Sequence, residues 1–419
     1  MKKKSFAVVI ISNGPGELNT WVKPVLYNLK KLISSSDSNI NITLRLSLVP
    51  CPNATGRELQ VAKGWDEFDL ITSAASFWKL LLRPSKFSYW PKKGIVVFLG
   101  GDQFWSVLLA KRLGYKSITY AEWVARWPRW NNFIAAMNHK VKAKLSRKHQ
   151  SKCIVIGDLM ADIKDDISSS IKIVDKKWIA ILPGSKKAKL SIGIPYFLQM
   201  ADFIAKEDSN LRILIPIAPT TNLDDFLFFQ SDKNPITKFY SSRIKTIKKI
   251  DNSAFDYIIE TKNNTKIHLI SSQPKYEILS QCSLAVTTVG ANTAELASIN
   301  LPMIVVLPTQ HLGYMKAWDG IIGIFAKVSF INKLIISILK TWYLKNTKYF
   351  AWPNIKAKKI IVPERIGHFS PEEIAKEVLI LINDENALQA QRNNLSKQRG
   401  QKGAAKKLAK IIWKTIYLN

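Results

Sequence analysis

The chain has 419 residues, with 62 Lys and Arg against 31 Asp and Glu, a formal charge of +31. That length exceeds what one hydrophobic core usually supports, so two domains are the default reading. Cys51, Cys153 and Cys282 form a scattered odd set with no Cys-x-x-Cys pair, which excludes a disulfide frame and a zinc site, and the histidines show no metal-ligand spacing.

In chain order, three lysines ahead of the apolar run that ends at Ile11 imitate a secretory signal. The run is short and meets Gly14-Pro15-Gly16-Glu17 instead of a small-residue cleavage site. It reads as a first strand, Phe6 to Ser12, and as a protein kept in the reducing cytoplasm. Further strands are expected near Thr43 to Val49, Gly94 to Leu99, Ser117 to Tyr120 and Cys153 to Ile156. A polar stretch, Lys164 to Lys177, reads as a linker. Beyond it, strands are expected near Trp178 to Leu182, Leu211 to Ile215, Ile267 to Ile270, Leu284 to Thr287 and Met303 to Leu307, in a sheet expected to be parallel throughout. Strands alternating with amphipathic helices define an α/β fold. Residues Asp224 to Lys266 have no clean period and read as an insertion or lid.

The richest stretch chemically is Thr288 to Pro308. Gly290 permits a sharp turn after an apolar strand, Asn292 and Thr293 stand at a helix entry, and Glu295 lies in the first turn. Amides bared in this way suit a phosphate, and the carboxylate suits two ribose hydroxyls. An ordinary capped αβ unit is the competing reading. A second strand, Trp178 to Leu182, runs into Pro183-Gly184-Ser185-Lys186, another loop able to present amides and a cation to a diphosphate. Two such loops are expected to converge at the carboxyl edge of one sheet. Gln273 and Tyr276 follow a strand in a position to border a base, although an exposed polar loop explains them equally. His311 and His368 can reach such a site, but lone histidines are more often packing or surface residues.

With these blocks on view, the chain resembles the lipid-A-disaccharide synthases, inverting UDP-sugar glycosyltransferases of the two-Rossmann (GT-B) type and of glycosyltransferase family 19. Gly157-Asp158-Leu159-Met160-Ala161-Asp162 is similar to that family's Gly-His-Pro-Leu-Ala-Asp block, Leu182 to Lys186 to its Leu-Pro-Gly-Ser-Arg loop, and Gly290 to Glu295 to its Gly-Thr-x-Thr-x-Glu turn. Trp352-Pro353-Asn354, Val362-Pro363-Glu364 and Ser370-Pro371-Glu372 resemble its Leu-Pro-Asn, Val-Pro-Glu and Thr-Pro-Glu blocks. The resemblance implies an acceptor domain over 1–165, a nucleotide-sugar domain over 178–350 facing it across a cleft, and a helical segment 351–419 crossing back to the first domain. It further implies a UDP-sugar donor, held by Gly184, Ser185, Lys186, Gln273, Tyr276, Gly290, Asn292, Thr293 and Glu295, with no cofactor and no metal.

The departures cluster in the N-terminal half. Where the family carries Gly-Glu-x-Ser-Gly-Asp, this chain reads Ser12-Asn13-Gly14-Pro15-Gly16-Glu17-Leu18-Asn19. Where the family carries Asp-x-Pro-Asp-Phe, with its proposed catalytic acid, this chain reads Gly100-Gly101-Asp102-Gln103-Phe104-Trp105. Lys186 keeps the charge of the family's arginine but not its bidentate fork. The donor class is therefore expected to be retained and the acceptor to differ. Inverting transfer needs a base, and Asp102 follows a strand and two glycines; its competing role is a helix N-cap. Glu17 and Glu122 are the other candidates.

The segment from Glu122 to Trp130 interleaves Trp123, Trp127 and Trp130 with Arg126 and Arg129. With Gly14, Gly16 and Trp105 it reads as a wall facing an acceptor or a membrane, and core packing is the alternative. The basic balance calls for an anionic partner. No nucleic-acid module is recognisable and the lysines are spread along the chain, so an anionic membrane surface is preferred, with Lys worth roughly 1 kcal/mol each near it. Ile321 to Tyr343 suits an interface better than a span, or a buried helix pair. A lysine-rich genome explains the charge without any partner. The functional expectation is a peripheral transferase at the cytoplasmic membrane face acting on a lipid-linked acceptor. A non-catalytic membrane-associated nucleotide-sugar-fold protein and a UDP-sugar epimerase stand as alternatives.

Overall fold

The computed structural model describes residues 4–36, 40–50, 58–166, 173, 177–218, 221–251, 254–271, 275–314, 348–398, 400 and 402–417. Gln273, Cys51 and the interface-like segment 321–343 lie outside the described residues. The chain divides into two compact units, one drawn from residues 1–166 and 400–419, the other from 167–399.

The first unit holds β1 (Lys4–Ser12), β2 (Ile40–Leu48), β3 (Leu70–Thr72), β4 (Lys93–Phe98), β5 (Lys116–Ala121), β6 (Phe133–Ala136) and β7 (Cys153–Val155). Helix α1 (Lys23–Ser34) follows β1, and α2 (Gln103–Leu113) follows β4. The seven strands are all parallel in the order β3-β2-β1-β4-β5-β6-β7. Along β1, Phe6, Val8 and Ile10 enter one core cluster with Val25, Leu26 and Leu29 of α1. Ala7, Val9 and Ile11 enter another with Phe77, Leu80 and Leu109. Both faces are covered, which is why the strand reads as an unbroken apolar run. Each fully buried Val or Ile contributes about 1.5–3 kcal/mol.

The second unit holds β8 (Trp178–Leu182), β9 (Arg212–Pro216), β10 (Ile244–Lys249), β11 (Tyr257–Thr261), β12 (Lys266–Ile270), β13 (Leu284–Thr287), β14 (Met303–Pro308) and β15 (Glu364–Gly367). Its principal helices are α3 (Lys187–Glu207), α4 (Leu223–Gln230), α5 (Ala291–Ser298) and α6 (Pro371–Asn383). The strand order is β10-β11-β12-β9-β8-β13-β14-β15. Contrary to the expectation of a wholly parallel sheet, β10, β11 and β12 pair antiparallel. The supposed insertion, 224–266, thus supplies most of α4 and two edge strands of the sheet. The pattern of β10 was hidden by a register shift between Ile244 and Thr246. That irregularity lets Ile244 and Ile247, three positions apart, both pack on the core instead of alternating.

The segment expected to cross back whole is divided. Residues 351–399 belong to the second unit. There α6 places Ile374, Val378 and Ile382 in the cluster formed with Tyr196, Phe197 and Ile204 of α3. Ser370 and Glu373 close a reciprocal cap at its start. The terminal helix α7 (Ala404–Tyr417) belongs to the first unit, and its Leu408, Ile412 and Ile416 enter the α1 core. Its start is held by a residue far away in sequence. Asp162 is 5% exposed, and its two carboxylate oxygens accept the amides of Gly403 and Ala405, each at 2.6 Å.

Two hydrogen bonds to a charged acceptor, each worth about 1.5–3 kcal/mol, make Asp162→Ala costly, by roughly 3 kcal/mol or more. The expected result is a lower urea midpoint and faster proteolysis between residues 400 and 403. An unchanged midpoint and cleavage pattern would remove Asp162 from the forces holding α7.

Candidate active site

In the second unit, β8 and β13 are neighbours, and Leu182 pairs with Thr287 at their carboxyl ends. The loops 183–186 and 288–290 therefore leave the sheet side by side, where successive connections diverge to opposite sides. Gly290 has φ +143°, disfavoured for other residues, and a Cβ there would stand 3.1 Å from Lys189 Nζ. Lys189, from the first turn of α3, donates to the Val289 carbonyl at 2.8 Å and so places an ammonium between the two loops. The sequence reading missed it, because its relevance depends on a neighbour a hundred positions away. Gly184, Ser185, Lys186 and Asn292 are half-buried along these loops.

Two expected ligands have other work in this unit. The Thr293 hydroxyl donates to Gly290 O at 2.8 Å and accepts the Trp352 amide at 3.0 Å, and the residue is fully buried. It closes the turn by its own side chain, so the expectation of a Thr293 hydroxyl on the diphosphate is corrected to a clamp. Tyr276 is buried and donates to Glu295 Oε2 at 2.7 Å. The structure thus places Tyr276 as the carboxylate's holder, and burial with the adjacent Glu295 charge keeps its phenol well above the usual range. His311 is buried against Tyr240, 2.9 Å away, and its pKa is lowered by burial first and by His368 second; His368 itself is exposed. Among the described residues no cluster of His, Cys, Asp and Glu could hold a metal.

In the first unit a cavity of about 510 Å³ opens at the carboxyl ends of β1, β4 and β5, again where strand order reverses. All three candidate carboxylates, Glu17, Asp102 and Glu122, line it, as do Trp123 and Arg126. Asp102 also caps α2, its exposed side chain accepting the Phe104 amide at 2.9 Å, so the competing role of N-cap is present in the structure. Gly101 (φ +95°) turns the backbone before it, and a Cβ there would meet Val49 Cγ2 at 2.7 Å. Gln103, also missed, fixes the opposite wall: its amide donates to Val124 O at 2.9 Å and accepts the Arg126 amide at 2.6 Å. Asn13 and Trp21 complete the lining, Trp21 standing on a π-helical turn, Leu18–Val22, set edge-on to the buried Tyr120 ring.

The remaining wall residues lie elsewhere. Trp105 packs edge-on against Phe77 and Trp78. Trp127 stacks on Trp130 with centroids 5.4 Å apart, both residues nearly half exposed, and Arg129 is exposed beside them. Gly16 carries the carbonyl that takes the Thr20 hydroxyl, and Gly14 underlies Glu17. The proposed wall is thus a cavity side made by Trp123 and Arg126 and a separate outer aromatic stack.

Two Rossmann-type sheets, one parallel and one mixed, each with loops gathered at its switch point, define a chain of the GT-B class. No family model matches it. In sequence it is similar to lipid-A-disaccharide synthases. It is 26% identical over 242 residues to that of Sulfurihydrogenibium sp., covering 57% of this chain and 51% of the relative. It is 28% identical over 241 residues to that of Wigglesworthia glossinidia brevipalpis, covering 55% and 49%. The chain spans about half the length of the curated relatives it matches. Among solved structures, the UDP-GlcNAc 2-epimerase of Neisseria meningitidis, bound to UDP-GlcNAc, aligns over 99% of this chain and 100% of its own, with a TM-score of 0.53 at 14% identity. That likeness is one of fold.

Tyr276→Phe deletes a hydrogen bond to a buried carboxylate, a loss of about 1.5–3 kcal/mol. The second unit should unfold at a correspondingly lower denaturant concentration, and equal midpoints would show that Glu295 is held by other means.

Proposed function

We propose that the chain is an inverting glycosyltransferase that moves a sugar of the N-acetylglucosamine type from a UDP-sugar to a lipid-linked acceptor at the cytoplasmic face of a membrane. The observation that carries this reading is the pair of loops at β8 and β13, with Gly290 at the turn and Lys189 between them, in a chain similar to lipid-A-disaccharide synthases. Bared amides and the Lys186 and Lys189 charges suit a diphosphate. Glu295, oriented by Tyr276, suits the ribose hydroxyls.

In the proposed reaction a carboxylate of the first unit's cavity takes the proton of the acceptor hydroxyl. The freed oxygen attacks the anomeric carbon on the face opposite the diphosphate, and the anomeric C–O bond breaks with its electron pair leaving on UDP. Asp102 is the first candidate base, with Glu17 and Glu122 on the same cavity. For the membrane, Trp78, Leu82, Trp127 and Trp130 expose between 43% and 65% of their surface on a strongly basic chain. Such amphipathic rings beside arginines suit a headgroup layer. No helix among the described residues is long and apolar enough to cross a membrane.

Calorimetry with UDP and UDP-GlcNAc tests the donor half. Glu295→Ala should weaken binding about tenfold to a hundredfold, since one charge-assisted hydrogen bond or two are lost. Asp102→Asn should abolish transfer to a lipid extract while leaving UDP binding intact, because asparagine caps a helix as well as aspartate does. Indifference of UDP affinity to Glu295 would displace the donor site. Sugar inversion with donor alone would replace transfer by epimerisation, and membrane binding without any nucleotide binding would indicate a non-catalytic protein.

A further inference from the structure

Asn13 and Trp21 both line the first unit's cavity, and each carries a polar atom, Asn13 Oδ1 and Trp21 Nε1, that is buried without a hydrogen-bond partner among the described residues. Leaving such groups unmet costs stability, so in residues that line a cavity a water or a ligand is expected to complete them. Their chemistry is complementary. Asn13 Oδ1 can only accept, and Trp21 Nε1 can only donate. A pyranose offers both halves of that match, since each hydroxyl donates and accepts and an N-acyl group presents an N–H beside a carbonyl. An ionised phosphate does not, because it brings no proton for Asn13 Oδ1.

The surroundings agree with a sugar. The cavity volume of about 510 Å³ is of ligand size, Trp123 contributes an aromatic ring to its lining, and Gln103 fixes that wall by both ends of its amide. Asn13 lies in the stretch Ser12 to Asn19, whose sequence departs from the synthases the chain otherwise resembles, and Trp21 stands on the π-helical turn that follows β1. Resting on the reading of this cavity as the acceptor site, we propose that Asn13 and Trp21 are its specificity determinants. They hold an uncharged face of a pyranoside, by hydroxyl or N-acyl group, so that any phosphate or lipid of the acceptor lies away from these two residues.

The test uses the full chain labelled with ¹⁵N-tryptophan, titrated with methyl N-acetyl-β-glucosaminide in the absence of nucleotide. The Trp21 indole resonance is assigned by its loss in Trp21→Phe. It is expected to shift and saturate at millimolar glycoside, and N-acetylglucosamine 1-phosphate is expected to bind no more tightly. Asn13→Leu should weaken the glycoside at least tenfold yet leave the unfolding midpoint equal or higher, because it removes a buried carbonyl that has no partner. A silent Trp21 resonance, tighter binding of the phosphorylated sugar, or wild-type affinity in Asn13→Leu would each overturn the assignment. A lowered midpoint with unchanged affinity would make Asn13 structural. Should Asn13→Leu fail to fold, the wild-type Trp21 response alone decides. UDP binding measured on the same samples reports the donor half separately, so a failed glycoside titration with intact UDP binding removes this inference and not the transferase reading.

Discussion

A parallel sheet covered on both faces has no room for chemistry along its length. In β1 and β4 alternate residues feed two apolar clusters, and each strand pairs with a neighbour on both sides. Polar side chains can gather only where strands end, and a crevice forms only where successive connections depart to opposite sides. Both units obey this constraint. The cavity with Glu17, Asp102 and Glu122 opens beside β1 and β4, and the paired loops around Lys189 open beside β8 and β13. Sequence divergence in the front loop could therefore reshape one site without disturbing the sheet that carries it.

Charge is distributed with a similar economy. In a chain with twice as many basic as acidic side chains, several carboxylates serve as hydrogen-bond acceptors inside the fold. Glu364 accepts the amides of Phe350 and Ala351 and the Asn354 side chain. Asp202 accepts from Thr261 and Asn263, and Glu295 from Tyr276. Such bonds are shorter and stronger than neutral ones and are little screened by salt when buried. Most of the described lysines, by contrast, are exposed to water, where their mutual repulsion favours any anionic surface.

What could be read from the sequence followed from how locally each feature is encoded. The apolar runs of β1, β8 and β13 announce themselves, as does the strand and glycine turn that precede Asp102 or Gly290. The three-residue β3, the bulged β10 and the half-buried β15 do not, because their pairing partners supply what their composition lacks. The same holds within the sites. Glu295 and Asp102 stand in recognisable turns, whereas Lys189, Gln103, Asn13 and Trp21 gain meaning only from residues brought near by the sheet. Thr293 was expected to face the diphosphate and Tyr276 to border the base, and their hydroxyls instead donate to Gly290 O and to Glu295, partners that composition alone does not specify.

The clamp of Asp162 on Gly403 and Ala405 has a consequence for the order in which the chain acquires its structure. The first unit is written in two pieces, and the apolar face of α1 is covered by a helix that leaves the ribosome only after the whole of the second unit. An N-terminal domain that would ordinarily fold first must here wait with Val25, Leu26 and Leu29 incompletely covered while its neighbour is synthesised. Turns translated after the second unit are thus the ones that close the first core.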